Sequence, residues 1–130
     1  MLGFTMKLIS LVMVIMLVGC ATVSDIRKFD PVETIVSHKS AKKMHNCFVQ
    51  SPAMQEGSAM ANALRLVQTE DDGIYTVTAY TDNLFFTSVD AVIVFKPKDD
   101  GGCIIEMRKG SRPGMVDFYR NYIMTCDAQP

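Results

Sequence analysis

The sequence lacks the short motifs that mark common catalytic and metal-binding sites. It has no Gly-x-Ser-x-Gly segment, which would expose a nucleophilic serine, and no Cys-x-x-Cys pair of the redox or zinc type. Gly101-Gly102 is a glycine pair, but it is without the lysine that a phosphate-binding loop requires. We therefore predict that the protein is not an enzyme and that it has no catalytic residues and no cofactor.

Basic charge and histidine are also scarce. The chain has 13 Lys+Arg against 14 Asp+Glu, so it offers no basic surface of the kind that nucleic-acid binding needs. Its two histidines, His38 and His45, are seven residues apart, a spacing that on a helix would place both on one side near Cys47. Because lysines surround them and disfavour a bound cation, we predict solvated histidines and no metal site.

No apolar run is long enough to remain as a membrane span. Leu8–Val18 is apolar except for one serine, and about eleven residues are too few for a bilayer core, which needs roughly 20. Lys7 precedes this run, and polar residues follow soon after Cys20. A positive start, a short apolar run and small residues at its end are typical of a secretory signal peptide, which we predict over residues 1–19.

The end of this segment is more specific than the rest. Leu17-Val18-Gly19-Cys20 resembles the lipobox of bacterial lipoproteins, a short pattern that ends in an obligatory cysteine. The resemblance implies that the chain is cleaved before Cys20 and acylated on its sulfur and its new amino terminus. Several acyl chains anchor a protein stably, at ~0.8 kcal/mol per buried CH₂. By the same resemblance, Ala21 rather than Asp implies the outer membrane, with the domain facing the periplasm.

The remaining 111 residues are enough for one small domain. Residues 20–32 are mixed and polar without a sustained period, and we predict a flexible tether there. We predict a single α+β domain over residues 33–130.

Two amphipathic segments predict helices near residues 38–49 and 113–126. Ser37 can cap the first, whose apolar residues recur at helical spacing, and Pro113 suits the first turn of the second. Four segments rich in β-branched or apolar residues predict strands at 63–69, 74–81, 89–95 and 103–108. Residues 63–69 can instead continue a helix from Ser58, because alanine, methionine and leucine favour helix. The predicted fold is α+β, an antiparallel sheet of about four strands with two helices packed on one face.

Three cysteines remain if Cys20 is lipidated, which is an odd number for an oxidising compartment. One disulfide and one thiol is the simplest arrangement, and three pairings are open. We predict Cys47–Cys126, because each lies on the apolar stripe of a helix and both helices are expected on the same sheet face. Cys103 is then the odd thiol.

The order of lipobox, short helix, strand-rich middle and terminal helix is similar to that of many small envelope lipoproteins, a resemblance that implies no activity. Our leading hypothesis is a lipid-anchored, non-enzymatic module that binds an envelope protein or supports the cell envelope. The alternative is a periplasmic module that binds a small ligand or a metal. An exposed apolar patch would favour the first, and a closed pocket with convergent polar groups would favour the second.

Overall fold

The structure, a computed structural model, describes residues 23–51, Met54, and residues 63–82, 85–111 and 115–130. The predicted signal peptide, Cys20 and Pro113 lie outside these ranges. The described elements are α1 (Val23–Lys28), β1 (Glu33–Ser37), α2 (Ala41–Gln50), β2 (Ala63–Asp71), β3 (Ile74–Asp82), β4 (Thr87–Pro97), β5 (Cys103–Lys109) and α3 (Met115–Ala128).

The five strands form one antiparallel sheet in the order β1-β5-β4-β3-β2. Strands β2 to β5 follow one another as a meander, and β1 adds to the free side of β5. The predicted α+β class with an antiparallel sheet is therefore confirmed. The predicted numbers are wrong, because the described residues form five strands and three helices rather than about four strands and two helices.

The hairpin between β2 and β3 has the turn that its sequence predicts. Asp72 and Gly73 have φ angles of 53° and 78°, the left-handed pair that a two-residue hairpin turn requires. The Glu70 carboxylate accepts a hydrogen bond of 3.0 Å from the backbone N–H of Gly73. Residues 63–69 therefore belong to a strand, and the helical alternative is wrong.

The start of α2 differs from the prediction. Ser37 is the last residue of β1, where its hydroxyl donates to the Asp127 carboxylate at 2.5 Å. The N-cap is Ser40, whose hydroxyl accepts from the backbone N–H of Lys43 at 3.1 Å. The helix therefore begins at Ala41 after its cap, whereas Ser37 is held in β1 by its pairing with Cys103.

The main core lies between the sheet and the two longer helices. Helices α2 and α3 both contact β4 and β5, and their buried side chains join those of β3, β4 and β5 in one cluster. Its fully buried members include Met44, Phe48, Val77, Ile93, Phe95, Ile105, Met107, Tyr119 and Ile123. Such close packing of large apolar side chains is the main stabilising term of the fold.

Helix α1 packs on the opposite, outer face of the sheet. It contacts β4 and β5, and its Ile26 is only 3 % exposed although it is not part of the main core. Val92 alternates with two core residues of β4, so it points to the outer face, and it is fully buried there. Within the segment 20–32, predicted to be a tether, residues 23–28 are therefore a packed helix.

Candidate functional site

The chain beside the predicted lipidation site is short. Cys20 lies outside the described residues, and α1 begins three residues after it at Val23. Three residues span at most about 11 Å when extended. Any group attached to Cys20 is therefore held close to the start of α1. None of the helices that the structure describes is long and apolar enough to cross a membrane.

The segment after α1 is fixed to the outer face of the sheet. The Arg108 guanidinium donates to the carbonyl of Phe29 at 3.0 Å, and the N–H of Val32 donates to the carbonyl of Met107 at 2.9 Å. Ile26, Phe29 and Val32 line a cavity of about 400 Å³ against the end of β5. The chain thus passes from α1 into β1 along the sheet, which ties the domain closely to Cys20.

A small ion network occupies the outer face of β4 and β5. The Glu106 carboxylate lies 2.5 Å from the Lys96 ammonium and 3.4 Å from the Arg108 guanidinium. The hydrogen bond from Lys96 is the main cause that lowers the pKa of Glu106. The Lys96 side chain is 43 % exposed, so its pair with Glu106 stabilises the fold only modestly, whereas Glu106 and Arg108 are only 13 % and 14 % exposed. Their role is to hold Arg108 in the orientation in which it reaches Phe29.

The predicted disulfide partners lie together where α2 meets α3. The Cα atoms of Cys47 and Cys126 are 5.9 Å apart and their sulfurs 2.09 Å apart, which is within the range of a disulfide. The ammonium of Lys39 donates to the carbonyl of Cys126 at 2.5 Å and so caps the end of α3. The covalent pairing itself stays a prediction that peptide mapping decides.

Cys103 is the remaining cysteine of the described residues. Its side chain is fully buried in the main core, and burial raises the pKa of its thiol. A thiol of raised pKa is a poor nucleophile at neutral pH, because the thiolate is the reactive form. Cys103 therefore acts as a small core residue.

A groove of about 600 Å³ runs beside Cys47 and Cys126. It lies between α2 and α3, and its lining side chains are exposed or half-buried except for that of Cys126. Among its described lining residues, Lys43 is the cationic one. Within the described residues this groove is open, and so differs from the closed pocket with convergent polar groups that the alternative hypothesis of a ligand-binding module requires.

The two histidines do not share a helix face. His38 precedes α2 and is exposed, whereas His45 lies within α2 and is 6 % exposed. Among the described residues, no group of three histidine, cysteine or acidic side chains is placed to hold a metal ion. The prediction of solvated histidines is therefore wrong for His45.

His45 is an aromatic member of the core. Its ring stacks on Tyr75 with centroids 4.7 Å apart and meets the edge of Phe95 at 5.7 Å. Its Nδ1 lies 3.2 Å from the Asn46 side-chain oxygen. Burial lowers the pKa of His45. The sequence did carry a signal for this position, because His45 follows buried Met44 and lies three residues before buried Phe48.

Stability should therefore fall as the pH drops through the histidine range. The lowered pKa means that, below the ordinary value of about 6.5, the unfolded chain binds the His45 proton more readily than the folded chain. The stability that neutral His45 supplies is complete above that value and is lost at lower pH.

Urea unfolding at a series of pH values measures the loss. His45→Phe should flatten this part of the profile. An unaltered profile in His45→Phe would exclude the effect.

A buried carboxylate lies at an irregularity between β3 and β4. Ala79 pairs with Ala91 and Tyr80 with Val89, so Asp90 is an extra residue that forms a β-bulge. Asp90 is fully buried, and its Oδ2 accepts hydrogen bonds from the Thr81 hydroxyl and, at 3.3 Å, from the Tyr119 hydroxyl. Its Oδ1 has no hydrogen-bond partner within the described part of the chain. The sequence of residues 89–95 predicts a regular strand and gives no sign of this bulge.

The Thr81 hydroxyl should therefore matter more than an ordinary buried threonine. Thr81→Val removes a donor to a buried carboxylate, which we expect to lower the free energy of unfolding by about 1.5–3 kcal/mol. Thr78→Val is the matched control, since it makes the same change at another buried position of β3. Equal losses in the two variants, measured by urea unfolding, would show that the carboxylate contact contributes nothing.

Comparisons with known protein families, curated proteins and solved structures return no match for this chain.

Proposed function

We propose that the protein is a lipid-anchored component of the bacterial cell envelope, held in the outer membrane by acyl chains on Cys20 and facing the periplasm. The observation that carries this proposal is the lipobox-like sequence Leu17-Val18-Gly19-Cys20 immediately before a folded α+β domain. The domain acts there without catalysis, by binding an envelope protein or by supporting the envelope.

The partners of the titratable side chains support a non-enzymatic role. Glu106 is paired with cations, His45 is stacked in the core, and Asp90 accepts hydrogen bonds from two core hydroxyls. Each of these contacts joins one element to another, so each has a structural explanation.

Exposed apolar side chains support contact with another surface. Phe29 and Val32, which line one cavity beside the end of β5, are both exposed on the chain between α1 and β1. Contiguous exposed apolar side chains are uncommon on monomeric proteins and mark interaction surfaces. They lie on the part of the domain that follows the anchor.

The Cys20→Ser variant tests the proposal. Because serine offers no sulfur to acylate, we expect the variant to remain uncleaved or to leave the membrane fraction. Wild-type protein should fractionate with membranes, and its mass should show an acylated chain beginning at Cys20. Cys103→Ala should behave as wild type. A Cys20→Ser protein that is lipid-modified and membrane-bound as before would refute the proposal.

A further inference from the structure

The two ends of the sheet differ in character. Thr87 and Lys109 lie at one end, together with the start of β1 and the loop that contains Phe85 and Phe86. We call this the anchor end, because the chain from α1 enters β1 there. The opposite end, called the acidic end, carries the turns after β2 and β4 with exposed Asp71, Asp72, Asp99 and Asp100.

Exposed aromatic side chains concentrate at the anchor end. The three most exposed large apolar side chains that the structure describes are Phe85 at 92 %, Phe29 at 66 % and Phe86 at 63 %. Phe85 and Phe86 lie in the loop from β3 to β4, and Phe29 lies on the chain between α1 and β1. At the acidic end, the exposed large apolar side chains that the structure describes are aliphatic, Val36 at 57 % and Ile74 at 37 %.

The position of α1 places the predicted anchor at this same end. Ile26 lines a cavity with Gly110 and Ser111, which directly follow β5 at the anchor end. Since Cys20 is only three residues before α1, the backbone position that would carry the acyl chains lies no more than about 11 Å from the start of that helix. The exposed phenylalanines are therefore on the part of the domain that the anchor draws toward the bilayer.

The charges of the anchor end suit a lipid surface. Arg27, Lys28 and Lys109 are exposed there, beside the exposed acids Asp30 and Asp117. Basic residues are attracted to anionic headgroups, by about 1 kcal/mol each near the surface.

We propose that the anchor end lies on the lipid bilayer, with Phe85 and Phe86 entering the region between headgroups and acyl chains. The inference rests on the proposed lipid anchor at Cys20. Aromatic side chains favour this interfacial region, and peripheral apolar groups enter it by roughly 5–10 Å. The loop thus gives the domain a second membrane contact, which fixes its orientation and directs the acidic end away from the lipid.

The chain contains no tryptophan, so a single introduced tryptophan reports on its own surroundings. Phe85→Trp places the reporter in the loop, and Ile74→Trp places it at the acidic end as the matched control. Each full-length, lipidated variant is reconstituted into vesicles of phosphatidylethanolamine and phosphatidylglycerol. Some vesicles contain lipids brominated at shallow acyl carbons and others contain lipids brominated at deep carbons. We expect the fluorescence of Phe85→Trp to be lost most with shallow bromines, and that of Ile74→Trp to be unchanged.

Co-flotation with the vesicles separates failure of the anchor from failure of the orientation. Protein that does not float would overturn the lipid anchor and this inference with it. Protein that floats but shows no quenching of the Phe85→Trp variant would overturn the orientation alone. A blue-shifted emission that is not quenched by brominated lipid would mean that a protein surface covers the loop, and this too would overturn the inference.

Discussion

Replacing Cys47 or Cys126 by serine is expected to lower the free energy of unfolding by roughly 4–5 kcal/mol in the chain-entropy description of disulfides. The two residues are separated by 79 positions, and a bond between them closes most of the domain into one loop. The unfolded chain therefore loses much of its freedom when the bond is present. Because small domains are stable by only ~5–15 kcal/mol in total, a loss of this size should lower the melting temperature sharply.

The controls are Cys103→Ala and the variant in which both Cys47 and Cys126 are replaced by serine. Removing either partner breaks the same bond, so Cys47→Ser, Cys126→Ser and the double variant should unfold at similar urea concentrations. Cys103→Ala should lower the free energy of unfolding less, because it only shortens a core side chain. Peptide mapping under non-reducing conditions gives the direct answer, and a bridged peptide that contains Cys103 would contradict the pairing.

Gly110→Ala is expected to cost on the order of 3–5 kcal/mol, the next largest effect. A Cβ atom at Gly110 would lie 2.6 Å from the carbonyl carbon of Val89 and closer still to its oxygen. The N–H groups of Gly110 and Ser111 donate to the carbonyls of Asp90 and Val89, each at 2.9 Å. Backbone held in this way cannot move aside without breaking those hydrogen bonds next to the bulge.

Gly73→Ala separates this clash from the general cost of replacing glycine. Gly73 has a φ of 78°, but a Cβ atom there meets nothing within 4 Å. Its replacement should cost only about 1–2 kcal/mol, the penalty of a left-handed conformation. Urea unfolding measures the loss of unfolding free energy in both variants, provided that the dependence of that free energy on urea concentration keeps the same slope. If Gly110→Ala were no more destabilising than Gly73→Ala, the close approach to Val89 would not be a feature of the folded protein.

The elements that could be predicted from the sequence are those whose signals are local. The turn at Asp72 and Gly73, the apolar run of β4 and the stripe of α3 each lie within one segment, and the structure has a strand or helix at each. Strand β1 was missed because it is defined by pairing Glu33 with Met107, far along the chain. Helix α1 has six residues, too few to be stable without the burial of Ile26.

The candidate sites also divide into those with a local sequence signal and those that depend on distant contacts. Cys20 was found through a short motif, and the closeness of Cys47 to Cys126 follows from two helical stripes on one sheet face. The environment of Asp90 could not be predicted, because a bulge changes the register without altering the residue types around it. That Phe85 lies at the same end as α1 depends on the path of β1, which was not predicted.

The pairing of β1 with β5 also links the completion of the fold to the order in which the chain is made. Residues 33–37 leave the ribosome early, but their partners at 103–107 follow only after most of the chain has been synthesised. Tyr119 and Ile123, which complete the core, come later still. Contacts between such distant segments form slowly, since a long loop must close before they stabilise anything. An incomplete chain therefore cannot complete the sheet or the core, and the domain closes only after its last helix has emerged.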